Sequence, residues 1–324
     1  MGDFILTLPA LKALRDAWPA AHIEILGYKH ITAVADNRFY AQAIRSIEYG
    51  PLSSFFARNA VLPTDLCDYF SGFDLIISYL YDPDEIFLDN LRRAGARNIL
   101  LGPAKIESTD TATRQLARPV KELGITVCDF SPKIFPSDED GRFAGNFLGK
   151  LKRPIIAMHP GSGSKQKNWP IENWLALGTA LLGDTEFYGS LLVVSGEADE
   201  EEILKLESLR TNDRVAFAEN LPLPSLAAVL AQTIFVGHDA GISHLAAAAG
   251  ADCILLFGPT DPEIWAPIGE RISVIRSATA AMQDVEVSAV YTALTDRFSA
   301  VTDQTRSGTD PHRHQDVEKR RLNL

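Results

Sequence analysis

Short apolar runs alternate with helical stretches along most of this chain, and the alternation happens twice. HIEIL (22–26), RSIEY (45–49), DLIISY (74–79) and RNILL (97–101) read as strands, with helices expected at about 31–37, 84–95 and 111–123. A Pro- and Asp-rich passage follows, SPKIFPSDEDG (131–141), then a short helix at 142–150. The pattern then restarts. PIIAM (154–158), SLLVVS (190–195), TIFVG (233–237), CILLF (253–257) and RISVI (271–275) read as buried strands, and helices near 171–182, 198–210, 223–231 and 242–249 separate the first four. Such alternation gives an α/β fold of two parallel sheets with helices on both faces. The expected division is 1–150 and 151–300, with the Pro/Asp passage as hinge. A final helix is expected at 282–298, and the polar stretch at 301–324 is expected to be disordered.

The start breaks the pattern. MGDFILTLPALKALRDAWP predicts a helix over 8–18, with Leu11, Leu14 and Trp18 on one face, Thr7 as cap and Pro9 in the first turn. Ahead of that helix stand only Met1, Gly2, Asp3 and a short apolar run, with no strand leading in.

Composition narrows the function classes. A formal net charge of −11 argues against wrapping nucleic acid, but backbone dipoles and one or two lysines can still hold a small anion. No apolar run approaches the roughly 18–20 residues needed to span a bilayer, and the start is not that of a secretory signal. Cys67, Cys128 and Cys253 stand far apart without metal-ligand spacing, which fits free thiols in a reducing cytoplasm.

In open α/β sheets, ligands bind beyond the carboxyl ends of strands, and three loops occupy that position here. HPGSGSKQKNWP (159–170) offers Gly161 and Gly163 for close backbone approach, the hydroxyls of Ser162 and Ser164, and the charges of Lys165 and Lys167. It matches neither a Walker loop nor a dinucleotide fingerprint. VGHDAGISHLAAAAG (236–250) ends a strand and opens a helix of small residues. Such a terminus favours a negative ligand by roughly 0.3–2 kcal/mol. Asp239 could simply cap that helix, and His244 could be a satisfied core histidine. FGPTDPEIWAP (257–267) makes a rigid turn in which Thr260 offers a hydroxyl, and two prolines alone could account for it. Together the three loops point to a nucleotide-diphosphate site in the C-terminal half.

GDFILTLPALKALR, HPGSGSKQKNWPIENW and VGHDAGISHLAAAAGADCILLFGPTDPEIWAP resemble glycosyltransferase family 9, the ADP-heptose:lipopolysaccharide heptosyltransferases, in the same order and up to about residue 298. The resemblance implies a GT-B fold: two facing Rossmann-like domains, the N-terminal one receiving the acceptor and the C-terminal one holding the nucleotide sugar. It implies an inverting transfer from a nucleotide-diphosphate sugar, ADP-heptose, to a saccharide or lipid-linked saccharide acceptor, with neither metal nor cofactor. The setting would be cytoplasmic, with transient contact at the inner membrane face. Asp3 matches the family's proposed general base and Lys167 its loop lysine, which would neutralise charge on the departing diphosphate. Asp239, Ala240, Gly241 and His244 match the helix-start motif, with Asp239 expected on sugar hydroxyls. Ser162, Glu197 and Thr260 are weaker matches for nucleotide or sugar contacts.

Two departures stand out. His238 replaces the usual Asn before the motif Asp. The apolar first strand of the family is also missing before Gly2-Asp3, through a start at an internal methionine or through damage to the copy. The sheet is therefore expected to lack a central strand, and the chain to turn over more slowly than one carrying it. The alternatives are a GT-B transferase using another nucleotide sugar, or a nucleotide-sugar-binding relic without turnover. A Rossmann dehydrogenase is disfavoured by the lack of G-x-G-x-x-G at any strand end.

Overall fold

The computed structural model describes residues 1–196 and 203–306, with the backbone alone at 299–306. Its C-terminal half is one six-stranded parallel sheet. In chain order the strands are β5 (Ile155–His159), β6 (Ser190–Ser195), β7 (Val215–Glu219), β8 (Ile234–His238), β9 (Asp252–Phe257) and β10 (Ile272–Arg276). Their spatial order is β10-β9-β8-β5-β6-β7. The order reverses between β5 and β8, so the loops leaving these two strands diverge and open a crevice at the switch point. β5, β6 and β8 are buried along their whole length, which is why they read as continuous apolar runs. The helices α8 (Ile171–Gly183), α9 (Leu223–Leu230), α10 (Gly241–Ala249) and α12 (Val287–Arg306), with the single turn α11 (Pro262–Trp265), cover the faces. β7 was absent from the sequence reading. It is an edge strand, VAFAE, with three of its five residues only partly buried and two of its four apolar residues alanine, which gives a weak strand signal.

The N-terminal half differs from a single sheet. β1 (Glu24–Gly27) pairs with β2 (Ala43–Ser46), and β3 (Ile76–Ser78) pairs with β4 (Ile99–Leu101), both parallel. Among the described residues no ladder joins the two pairs. Both nevertheless lie in one layer. Ile23 and Ile77 pack on Ala10, Ala13 and Leu14 on one side, while Leu26 and Ile76 pack with Phe55, Phe70 and Phe87 on the other. This agrees with the expected lack of a central strand, and it leaves β1 and β3 only partly buried. The remaining N-terminal helices are α2 (Lys29–Thr32), α3 (Thr64–Ser71), α4 (Ile86–Arg93), α5 (Ala112–Leu116), α6 (Arg118–Glu122) and α7 (Asp138–Leu148). Pro119 opens α6 and divides the single helix expected at 111–123.

The opening helix corrects the sequence reading. α1 spans Gly2–Ala17, so Thr7 is not its cap and Pro9 lies well inside it. The Thr7 hydroxyl instead donates to the Asp3 carbonyl at 2.7 Å. Ile5, Leu6 and Leu8 are buried, and a helix satisfies the backbone of this apolar run internally where no neighbouring strand does. Asp3 therefore sits in a first helical turn rather than in a loop.

α7 packs against α9, and Ala144 and Leu148 share a core with β5, β8 and β9, as do Ile5, Leu8, Val34 and Tyr40 from the N-terminal half. α12 runs to Arg306, past residue 301, where the disordered polar stretch was expected to begin. Residues 307–324 of the expected tail and residues 197–202 lie outside the described residues.

Candidate active site

The loop after β5 is folded on itself. Ser162 Oγ lies 2.8 Å from the Ser164 carbonyl and 2.5 Å from Asn168 Oδ1, and the Lys167 N–H donates to the Ser164 carbonyl at 2.9 Å. Trp169 anchors the far end, with its indole N–H donating to the Val285 carbonyl at 2.8 Å and its ring edge-on to Trp174. This tight loop holds Lys167 out over the end of β8.

After β8 the chain turns at Asp239 and Ala240 and enters α10 at Gly241. No side chain caps this helix, and the first backbone donors bonded within it are those of Ser243 and His244, both to the Ala240 carbonyl. The amides of Gly241 and Ile242 are therefore left as an anion-attracting pair at a helix N-terminus. Gly237 and Gly241 allow close approach. A Cβ at Gly237 would stand 2.8 Å from Ser243 Oγ, and one at Gly241 would stand 2.6 Å from the Met1 side chain. Gly250 ends the helix at φ 93°, a left-handed conformation that glycine adopts without strain.

Met1 is there because α1 comes in from the N-terminal half with its own first turn against α10. A Cβ at Gly2 would lie 3.2 Å from the His244 ring. α1 has no side-chain cap either. Two uncapped helix N-termini thus meet at one cleft of about 280 Å³. It is lined by Gly2, Asp3 and Leu6 of α1, by Gly163, Ser164 and Lys167 of the loop, by Asp239, Ala240, Gly241 and His244, and by Trp265.

Lys167 Nζ donates to Asp239 Oδ2 at 2.7 Å, and His244 Nε2 stands 3.8 Å from Asp239 Oδ1. Burial pushes the Asp239 carboxyl up. The opposing effects of His244, of Lys167 by hydrogen bond and by charge, and of Thr260 outweigh it and hold the group at about 2. Asp239 is therefore an ionised carboxylate with its oxygens turned to protein partners. His244 is buried, and its Nδ1 has no hydrogen-bond partner among the described residues.

Six sequence candidates meet in this cleft: Asp3, Lys167, Asp239, Ala240, Gly241 and His244. Thr260 stands behind it, beside Asp239. Ser162 is engaged inside its own loop, and Glu197 lies outside the described residues. Sequence reasoning gave no role to Trp265 or Leu6. Trp265 was visible in the third loop, but nothing in the sequence says that a one-turn helix capped by Asp261 aims it at the cleft. Among the described residues no group of three or more His, Cys, Asp or Glu side chains is placed to hold a metal ion.

Known proteins share the family and the fold. The lipopolysaccharide heptosyltransferase 2 of Salmonella typhimurium is 26% identical over 148 residues, 44% of this chain and 41% of that protein. The chain thus matches about two fifths of that relative's length. Among solved structures, a family 9 glycosyl transferase from Veillonella parvula has a TM-score of 0.72 at 18% identity, covering 91% of this chain and 94% of its own. The Escherichia coli heptosyltransferase WaaC with ADP has a TM-score of 0.68 at 20% identity, covering 91% and 96%. At such identities the likeness establishes the fold, the two facing α/β units of GT-B. The family model for glycosyltransferase family 9 (heptosyltransferase) matches residues 102–294, well over half of the 324 residues, and contains both the lysine loop and the α10 motif. On this match, taken with the fold and the cleft, the chain belongs to glycosyltransferase family 9.

Proposed function

We propose that the chain transfers a heptose from ADP-heptose to a lipopolysaccharide-core-type saccharide, with inversion at the anomeric carbon. The observation that carries this reading is the meeting of Lys167, the open N-terminus of α10 and the Asp3 carboxylate in one cleft. The donor's diphosphate lies at α10, where the Gly241 and Ile242 amides and the two remaining N–H donors of Lys167 face it. Asp239 neutralises the lysine overall, so its part is to hold the ammonium in register rather than to bind sugar. The acceptor hydroxyl oxygen attacks the anomeric carbon, the bond from that carbon to the diphosphate oxygen breaks, and ADP leaves with the electron pair. The hydroxyl proton passes to Asp3, a step of the kind worth about 10²–10⁴-fold. The ADP seen with the Escherichia coli structural neighbour supports the choice of nucleotide. No helix among the described residues is long and apolar enough to cross a membrane.

Calorimetry with ADP tests the donor site. Lys167→Met and Gly241→Leu are each expected to weaken binding at least tenfold, since one preorganised anion contact is worth about 10²–10³ where charge develops. Unchanged affinity in both would remove the reading. A second reading, donor binding without turnover, is favoured by one observation: Asp3 is exposed and rests on a helix beneath two unjoined sheets. ADP-heptose binding with no product from any core saccharide would select it.

A further inference from the structure

His238 closes β8 and is fully buried, yet it carries two polar ring atoms. Its Nε2 accepts the backbone N–H of Trp169 at 2.8 Å, and its Nδ1 stands 3.4 Å from the Gly161 carbonyl. One arrangement satisfies both contacts: a neutral ring with a bare Nε2 and its proton on Nδ1, donating to Gly161. The two ends of the lysine loop, Gly161 and Trp169, are thereby closed on a single imidazole. The next residue, Asp239, takes the loop's far side through Lys167 at 2.7 Å. The His238 carbonyl accepts the Ser243 hydroxyl, which ties the same residue to the first turn of α10. Its ring lies edge-on to Trp174 of α8, 5.3 Å between centroids.

We infer that His238 is a positioning residue of the anion site: its imidazole closes the loop at 161–169 and so fixes where Lys167 stands relative to the mouth of α10. The inference rests on the donor site proposed above. A loop containing two glycines has no backbone preference that would hold it, and the hydrogen bonds within it do not attach it to the sheet. An apolar residue in place of His238 would fill the space but leave the Trp169 N–H and the Gly161 carbonyl unpaired, and both residues are buried. The lysine would then sample several positions, and a misplacement of about 1 Å is enough to cost up to 10²-fold.

The test compares wild type with His238→Leu, His238→Met and His238→Gln. Leu and Met keep volume without polar atoms. Gln brings an amide oxygen to the reach of Nε2. Two quantities are read: ADP affinity by calorimetry, and hydrogen exchange of the peptide covering 161–169. The apolar variants are expected to bind ADP ten- to a hundredfold more weakly and to lose protection in that peptide alone. Gln is expected to restore both to within about threefold. Leu294→Ala in α12 lowers the melting temperature as a control and is expected to leave both readouts unchanged. Met is the variant to read if Leu does not fold, because its flexible chain fits with least strain. Intact protection and affinity in a folded apolar variant would overturn the inference, as would a Gln variant as damaged as Leu. Wild-type protein that fails to bind ADP would instead remove the donor-site reading, and the exchange data would still decide whether His238 closes the loop.

Discussion

At the scale of single residues, Asp239 sets the electrostatics of the cleft. Its carboxyl, ordinarily at 3.8, is held at about 2. A group with a lowered folded-state pKa stabilises the fold above its unfolded value and loses that contribution as pH falls through the folded one. The two values differ by a little under two units, worth about 2 kcal/mol. Asp239→Asn is therefore expected to cost about that much from pH 7 down to pH 5. The gap from wild type should narrow as pH falls from about 4 towards 2, read by denaturant unfolding at each pH. A gap that does not depend on pH would mean that Asp239 acts through packing alone. Asp3 makes the opposite case. It is exposed, and its carboxylate is not engaged by any charged side chain among the described residues. Asp3→Asn is expected to leave ADP affinity and melting temperature in place and to lower turnover about 10²–10⁴-fold. Loss of ADP binding in that variant would place Asp3 at the donor instead.

At the scale of elements, the site depends on how near α10 lies to β8. Gly237 sits on the strand under the helix, and a methyl group there would stand 2.7 Å from the Phe235 ring and 2.8 Å from Ser243 Oγ. Gly237→Ala is expected to push the first turn of α10 away from the strand, at about 1–3 kcal/mol of stability, with ADP binding weakened in parallel. Thermal unfolding and calorimetry on the same sample check it, and an Ala variant as stable as wild type would show that the helix has room to move. The opening helix teaches the converse lesson. The period of Leu11, Leu14 and Trp18 was legible, but the helix begins a full turn and more before Thr7. FILTL is apolar without a clear helical period of its own, so the helix start was not legible there, and the structure carries α1 through it. The split at Pro119 could have been read from the sequence, since a proline fits best in a helix's first turn.

At the scale of the whole molecule, the passage expected to act as hinge is itself tied back to the N-terminal half. Arg38 pairs with Asp140 at 2.7 Å, and Asp140 also completes a capping box with Ser137 at the start of α7. The Tyr40 hydroxyl donates to the Lys133 carbonyl at 2.6 Å, and Phe39 packs on Phe135. Arg38→Met leaves a buried carboxylate without its cation. It is expected to cost about 1–3 kcal/mol and to speed proteolysis within 131–137. Resistance equal to wild type would show that the aromatic contacts suffice. The net charge of −11 disfavours an anionic ligand at long range, so capture of the proposed donor would rely on short-range contacts at the two helix ends and the Lys167 N–H groups. The cleft exists only because α1, from the first residues, meets α10, from a stretch some 240 residues later.

By itself the sequence determined the parallel α/β class, the strands of the C-terminal sheet apart from β7, and the three loops that reach its rim. These follow from local periodicity and from glycine, serine and lysine placed after apolar runs, which physics reads over a few residues. Tertiary structure alone decided that α1 starts at Gly2, that the N-terminal strands form two pairs, that Asp239 is turned to Lys167 rather than to solvent, and that His238 closes a loop nearly eighty residues behind it. Each of these depends on which partner lies across a gap in space. A chain carries that information only through the whole set of packings it makes possible, not through any window of its own length.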